Sequence, residues 1–387
     1  MLNNLKLVNF KSSRDLDIPL KPLTVLSGLN GSGKSTVLQA IGLIMQNLPH
    51  EFFEDITHLH LHGSIVRLGS LGHVISDHSD EGSIRIEITN DTGDCGIWES
   101  DPNVEADADI VVLKETASNA SSISFELMHK HFQFLQADRL TPQTIYDKSN
   151  SVSRNKSFLG VHGEFTPDFL ATQGDTLNVP ERRQCPLSIP GLSSELGGRI
   201  DSTPKLFSQI GRWLQHLSPG VRISAKHLDD TDSIRLAFSY ASTGVGRDSP
   251  SRRPSHVGFG LTYSLPIVTA CLAAPRDALL LLENPEAHLH PRGQMAMGLL
   301  LAKCAADGVQ IILETHSDHV LNGIRLAVKS SESGINAADV QICNFSRDPL
   351  TGDSFIESPL VLPNGDLSSW PEGFFDEWEK SLEALLR

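Results

Sequence analysis

Cysteine is sparse in this chain and basic residues are outnumbered, and each shortage narrows what the protein can do. The five cysteines (Cys95, Cys185, Cys271, Cys304 and Cys343) are odd in number, widely scattered and form no CxxC pair. Neither a disulfide framework nor a zinc site is indicated, and they read as buried or incidental thiols. With 32 Lys and Arg against 47 Asp and Glu, the formal net charge is −15, the opposite of the balance that draws a whole surface to nucleic acid. What basic character there is lies in Arg182-Arg183 and in the segment Arg247–Arg253, both in polar, Pro/Ser-rich surroundings. They read as solvated loops ahead of contacts to a phosphate backbone. Long apolar runs are missing too: Leu265–Ala274 and Ala278–Leu282 are shorter than a membrane span, and no basic stretch followed by an apolar one opens the chain. A cytoplasmic location without membrane contact is expected. There is no internal repeat and no heptad pattern. The 39% hydrophobic content of 387 residues is ample for a core, and length alone suggests two or three domains.

What is present is most informative at Gly28–Ser35, Gly-Leu-Asn-Gly-Ser-Gly-Lys-Ser, a GxxxxGK[ST] loop. An apolar run at Leu23–Leu26 precedes it, and Val37, Leu38, Ile41, Ile44 and Met45 follow at helical spacing. Strand, glycine loop and helix in that order build a phosphate cradle. Gly28, Gly31 and Gly33 permit positive φ, which turns backbone N–H groups toward phosphate oxygens at the helix N-terminus. Asn30, Gly31, Ser32, Gly33, Lys34, Ser35 and Thr36 form the cradle, with Lys34 reaching the β and γ phosphates and Ser35 ligating Mg2+. A nucleoside triphosphate is the expected ligand.

Two later strands complete the pattern. Ala278–Glu283 is apolar and ends in Glu283-Asn-Pro-Glu286, which places a carboxylate at a strand's C-terminal edge, where ligands of parallel sheets bind. Glu283 is the candidate for holding Mg2+, the alternative being an ordinary strand-end carboxylate. Val309–Glu314 repeats the device and delivers Glu314, Thr315 and His316. His316 either senses the γ-phosphate or neighbours the helix cap at Ser317.

Along the chain, residues 2–27 read as two or three short strands. Strands are then expected at Ile65–Leu68, Ile84–Thr89, Ile110–Lys114, Ile123–Met128 and Phe132–Leu135, a β-rich lobe after the phosphate-binding unit. Loops and short helices are expected over 145–202, a helix over 204–217, and strands near 221–226 and 233–240. From 259 onward helices (259–273, 292–306, 317–329) alternate with strands (278–283, 309–314, 339–345), which implies a largely parallel sheet. His58, His60 and His62 alternate with leucines and read as an exposed strand face rather than a metal site, no acidic or cysteine ligand following at metal-site spacing. Trp370–Leu386 reads as an amphipathic helix docked on the core.

Several segments together resemble a known family: Leu7–Ser12 (Leu-Val-Asn-Phe-Lys-Ser), the phosphate loop, Gln136–Pro142, Val257–Pro266, Glu283–Pro291 (ENPEAHLHP), Glu314–His319 (ETHSDH) and Trp370–Asp376. The chain resembles the ABC-type ATPase heads of the SMC, RecF and OLD group, and most closely bacterial AAA-type ATPases with a short C-terminal domain of unknown function. The resemblance implies an α/β P-loop NTPase of ABC-head type, a mixed sheet with an antiparallel β lobe and an inserted α/β lobe. The head is expected at 1–143 and 255–345, the inserted lobe at 144–254 and a small C-terminal domain at 346–387. ATP and Mg2+ are the implied cofactors. Gln136 falls near the Q-loop place, beside Arg139; Gly258 and Gly260 fall where the ABC signature presents a helix N-terminus to a nucleotide on the opposite subunit; His288–Pro291 takes the D-loop place and His316 that of the switch histidine. A homodimer sharing two ATP molecules follows, with larger assemblies open. The expected activity is ATP hydrolysis, with Lys34, Glu283, Glu286 and His316 as the catalytic set, in an anti-phage defence or DNA-surveillance complex whose effector, a nuclease or toxin, is a separate protein. DNA binding and a low-turnover nucleotide-gated scaffold are the alternatives. One departure matters. ABC heads place a glutamate after the magnesium carboxylate, whereas this chain has Asn284, which cannot act as a base. Glu286 or Glu314 would substitute, or ATP would serve mainly as a clamp.

Overall fold

A strand covered on both faces needs apolar residues at successive positions, and the chain has several such runs. The computed structural model describes residues 1–387 apart from 49–55, 77–78, 80–81, 115–130, 150–157, 187–202, 242–248, 331, 372–373, 375–376 and 387. The strands are β1 (Leu2–Phe10), β2 (Ser13–Pro19), β3 (Leu23–Gly28), β4 (His58–His60), β5 (Arg85–Asn90), β6 (Cys95–Glu99), β7 (Ile110–Val112) and β8 (Phe132–Leu135). They continue as β9 (Tyr146–Asp147), β10 (Val221–His227), β11 (Ser233–Tyr240), β12 (Leu279–Glu283), β13 (Gln310–Glu314), β14 (Val340–Arg347) and β15 (Ser354–Glu357). A six-stranded sheet in the order β15-β14-β3-β13-β12-β8 is the centre of the fold. Its strands run parallel except for β15, which pairs antiparallel with β14.

Alternation along these strands divides the core in two. Leu23, Val25, Leu280, Leu282, Ile311, Leu313, Val340 and Ile342 enter one cluster. Leu26, Leu279, Leu281, Ile312, Cys343 and Phe345 enter the other. The first is covered by the helices Phe259–Ala273, Pro291–Ala306 and Asp318–Lys329. The second is covered by the Lys34–Asn47 helix and by the antiparallel sheet β2-β1-β5-β6. The segment between β8 and the 259–273 helix supplies the small sheet β10-β11-β9 and the helices Thr166–Gln173 and Leu206–Leu217. Leu206, Ile210, Trp213 and Leu214 share the first cluster with the central sheet, so the described residues of this segment pack into the same core as the sheet.

The structure departs from the sequence expectations in four places. Ile65–Leu68 is not a strand; Gln46 Oε1 accepts from the N–H of Val66 at 2.9 Å, and these groups close a turn against the first helix. Phe132–Leu135 is an edge of the central sheet, parallel to β12, and not part of the β lobe. Arg183 is buried at 0% exposure, donating from Nε to Asp307 Oδ2 at 2.8 Å and from Nη1 to the Cys271 carbonyl at 3.2 Å. It is thus neither a solvated-loop residue nor a nucleic-acid contact. Finally, the C-terminal helix spans Glu377–Leu386 and leaves Leu385 84% and Leu386 78% exposed. Upstream of it Phe374 is buried, and Arg325 stacks over the Trp370 ring at 5.3 Å. The expected strand at Ile123–Met128 lies outside the described residues. His58, His60 and His62 are exposed between buried leucines. Cys185, Cys271, Cys304 and Cys343 are buried. Among the described residues, no helix is long and apolar enough to cross a membrane.

The helices Pro291–Ala306 and Asp318–Lys329 touch backbone to backbone where Gly298 meets Gly323. A Cβ on Gly298 would overlap the Val320 carbonyl and one on Gly323 the Met295 carbonyl. Gly298→Ala is therefore expected to force the helices apart and to cost about 1–3 kcal/mol, read as a lowered urea midpoint. An unchanged midpoint would show that the crossing has slack.

Candidate functional site

The glycine loop joins β3 to the Lys34–Asn47 helix at the C-terminal edge of the central sheet. Gly28 has φ +128° and a Cβ there would collide with the Phe345 carbonyl, so both the backbone angle and the approach of β14 require glycine. Gly33, at φ +106°, has Ser354 and Ser12 against it, and Ser354 Oγ donates to Ser12 Oγ at 2.8 Å. The loop is thus braced by a serine from β15 and one from the β1–β2 turn. Lys34 is buried. Its ammonium donates to the carbonyls of Leu29 at 2.8 Å and Gly28 at 3.0 Å and lies 3.7 Å from Glu314 Oε1. Burial lowers its pKa, against the opposing pull of Glu314.

Parallel register brings the acidic strand ends to this loop. Leu26 pairs with Glu314, and Glu314 with Glu283. The Ser35 hydroxyl donates to Glu314 Oε2 at 2.6 Å. Glu283 Oε2 accepts the Ala137 N–H at 2.9 Å; burial pushes its pKa up to about 7, the Ala137 bond opposes that shift and the charge of Glu314 adds to it. Glu283 lines a cavity of about 450 Å3 with Gln39, Gln136, Asp138 and His162. Glu286 is held by two bonds, from Thr315 Oγ1 and from the His316 N–H, each 2.7 Å. Both its oxygens are engaged in fixing the turn that carries His316. The His316 ring is partly exposed, with Nε2 3.9 Å from Glu314 Oε1; burial and then Lys34 lower its pKa. The next residue, Ser317, caps the following helix, its hydroxyl accepting from the Val320 N–H at 3.1 Å. Asn284 sits at φ +44° and donates its N–H to the Glu314 carbonyl at 2.9 Å. Its Oδ1, like the hydroxyl of buried Ser32, has no hydrogen-bond partner.

Arg139 ties these parts together. Its buried guanidinium donates to the carbonyls of Gln136 at 3.0 Å, Asn284 at 2.6 Å and Tyr263 at 3.1 Å, and also to that of Glu283. Burial pulls its pKa down to about 10, with Glu286 and Glu283 opposing the shift. Tyr263 belongs to the helix that Gly258 opens with uncapped N–H groups. Gly260 lies against the His288 carbonyl, and the His288 ring meets Tyr263 edge-on at 4.6 Å. Gln136 turns to the Ile65 carbonyl, 2.9 Å away.

Lys34, Ser35, Glu283, Glu286 and His316 therefore meet at one edge, and Asn30 to Thr36 form the loop beside them. Gly258 and Gly260 do not join this cradle: among the described residues no hydrogen bond or ion pair links them to it. Sequence reasoning placed Glu314 at the edge but missed its bond to Ser35; two acidic strand ends of equal rank were the signal available. It also missed the Ser12–Ser354 brace, which no local pattern announces. The donors and oxygens present fit a triphosphate and a magnesium ion, and the unpartnered Ser32 and Asn284 oxygens are consistent with further ligand contacts.

A mainly parallel sheet with the glycine loop and acidic strand ends at one edge defines a P-loop nucleotide-binding fold. The chain belongs to the family described as "AAA domain, putative AbiEii toxin, Type IV TA system", whose family model matches residues 23–322. A second family model, "Protein of unknown function (DUF3696)", matches residues 335–385. Among curated proteins, an OLD nuclease of Thermus scotoductus (strain ATCC 700910 / SA-01) is 49% identical over 45 residues, 12% of this chain and 8% of that protein. Among solved structures, the Smc head bound to the C-winged helix domain of ScpA superposes with a TM-score of 0.51 at 16% identity, covering 93% of this chain and 98% of that one. The SMC head domain from Thermotoga maritima gives 0.44 at 15% identity, covering 92% and 98%.

Arg139→Met would strand four carbonyls that now share one buried cation. It is expected to cost about 3 kcal/mol or more in urea unfolding, and Arg139→Lys to restore only part, since an ammonium has three donors and no planar fork. A Met variant as stable as the wild type would contradict this reading of the site.

Proposed function

We propose that this protein binds ATP with Mg2+ at the strand-end site, hydrolyses it to ADP and phosphate, and uses the nucleotide to join two copies of itself. The observation that carries the reading is the convergence of Lys34, Ser35, Glu283 and His316 on one sheet edge beside a loop of positive-φ glycines. Lys34 and the loop amides would take the β and γ phosphates, and Ser35 and Glu283 would hold the metal ion. The metal supplies charge neutralisation on the transferring phosphoryl group. Glu286 enters as the residue that holds Thr315 and His316 in place. Gly258 opens a helix whose N-terminus is exposed, which suits a nucleotide bound by a second copy.

The energetics of such a clamp are within reach. Moving a two-state equilibrium from 1:99 to 99:1 takes about 5.5 kcal/mol, and a hydrogen bond to a charged group contributes about 1.5–3 kcal/mol. Two or three γ-phosphate contacts across the interface suffice, and loss of the γ-phosphate removes them. A slow turnover, with ATP acting chiefly as the clamp, is favoured by Asn284 in the place of a base and by the two bonds that occupy Glu286. In the cell we infer an ATPase subunit of an anti-phage defence or DNA-surveillance complex in the cytoplasm, acting through a separate nuclease or toxin. The short, strong match to an OLD nuclease and the family description support that setting.

Steady-state phosphate release tests the enzymatic part. Lys34→Ala is expected to lower it by about 100-fold or more, and light scattering should show a MgATP-dependent dimer for the wild type alone. Equal release by the two proteins would overturn the assignment.

A further inference from the structure

Glu314 has no role in the proposed function so far, yet its carboxylate stands closest to the groups that would bind phosphate. It is buried, with one oxygen 2.6 Å from the Ser35 hydroxyl and the other 3.7 Å from the Lys34 ammonium. Among the described residues the other Lys34 partners are the carbonyls of Gly28 and Leu29, and the carboxylate is the anionic partner of that ammonium. In-register pairing of β12 and β13 puts Glu283 beside it. Two carboxylates and a hydroxyl therefore converge where an incoming triphosphate brings several more negative charges.

An anion cannot join the buried Glu314 and the half-buried Glu283 without repulsion, since like charges in a poorly solvated site interact more strongly than in water. A divalent cation among the three reverses the sign, because carboxylate, hydroxyl and phosphate oxygens are all ligands of hard cations. We propose that Glu314 makes nucleotide binding conditional on a divalent cation: the ligand this site accepts is the metal complex of a nucleoside triphosphate, and the free triphosphate is rejected. The proposal rests on the nucleotide-binding reading above and assigns Glu314 a specificity role within it. The neutral isostere should release that condition, since Glu314→Gln keeps an oxygen for the Ser35 hydroxyl while removing the charge that faces both Lys34 and the phosphates. Glu314→Asp keeps the charge and should keep the condition.

The test is a fluorescence titration of the full chain with a fluorescent ATP analogue, once with excess MgCl2 and once with EDTA, with folding checked by thermal melting. For the wild type we expect Kd to rise at least about 30-fold in EDTA. For Glu314→Gln the EDTA value should tighten by about tenfold or more, collapsing the ratio, while Glu314→Asp retains it. A wild type that binds the analogue equally well in MgCl2 and EDTA overturns the proposal whatever the variants do. So does a folded Glu314→Gln with the wild-type ratio. No binding by the wild type in either condition would instead overturn the nucleotide reading itself, so the two failures are distinguishable.

Discussion

The site depends on strand register. β3, β13 and β12 come from remote parts of the chain, yet they pair parallel so that Leu26, Glu314 and Glu283 lie in one row across the sheet. Because β12 and β13 end at that row and β3 ends two residues beyond it, the loop after β3 and the turns after β12 and β13 open on the same edge. A slip of one residue in β13 would turn Glu314 into the core and bring Leu313 to the loop. The alternation of buried side chains between two cores opposes that slip, since Ile311 and Leu313 face one cluster and Ile312 the other. The packing of the core and the geometry of the site are therefore one constraint.

That constraint concentrates charge in a poorly solvated place. Three carboxylates (Glu283, Glu286 and Glu314) face two buried cations, Lys34 and Arg139. The cations are used differently. Arg139 spends its donors on backbone carbonyls and so fixes the positions of the strand end and of the 259–273 helix. Lys34 is held by two loop carbonyls and one acid, an arrangement that phosphate oxygens can replace. In the proposed function one cation is structural cement and the other exchanges its partners for phosphate. The link from Arg139 through Tyr263 to the helix opened by Gly258 gives the proposed second half of the site a mechanical connection to the first.

Much of this was legible in the sequence because it is local. The glycine loop, the helix spacing after it and the apolar runs that end in Glu283 and Glu314 are contiguous patterns, and the alternation of strands and helices after residue 259 implied the parallel sheet. What was hidden is long-range. Arg183 sits among polar residues, and nothing nearby announces its buried pairing with Asp307 on another element. Phe132–Leu135 has the same short apolar pattern as a lobe strand, and only its partner β12 distinguishes the two. Gly298 and Gly323 look like ordinary helix interruptions until the two helices cross. The C-terminal segment has an amphipathic pattern, but apolar spacing alone does not say which turns are covered, and here Phe374 is buried while Leu385 and Leu386 are not.

The central claim is that the loop and both acidic strand ends bind one nucleotide, which a second copy completes. Amide hydrogen exchange with and without MgATP tests it most directly. The account predicts protection over residues 28–36, 283–286 and 314–317 along a single saturation curve, with protection over 258–261 added only at protein concentrations where the dimer forms. Protection that leaves 283–286 and 314–317 unchanged while the loop is saturated would contradict it.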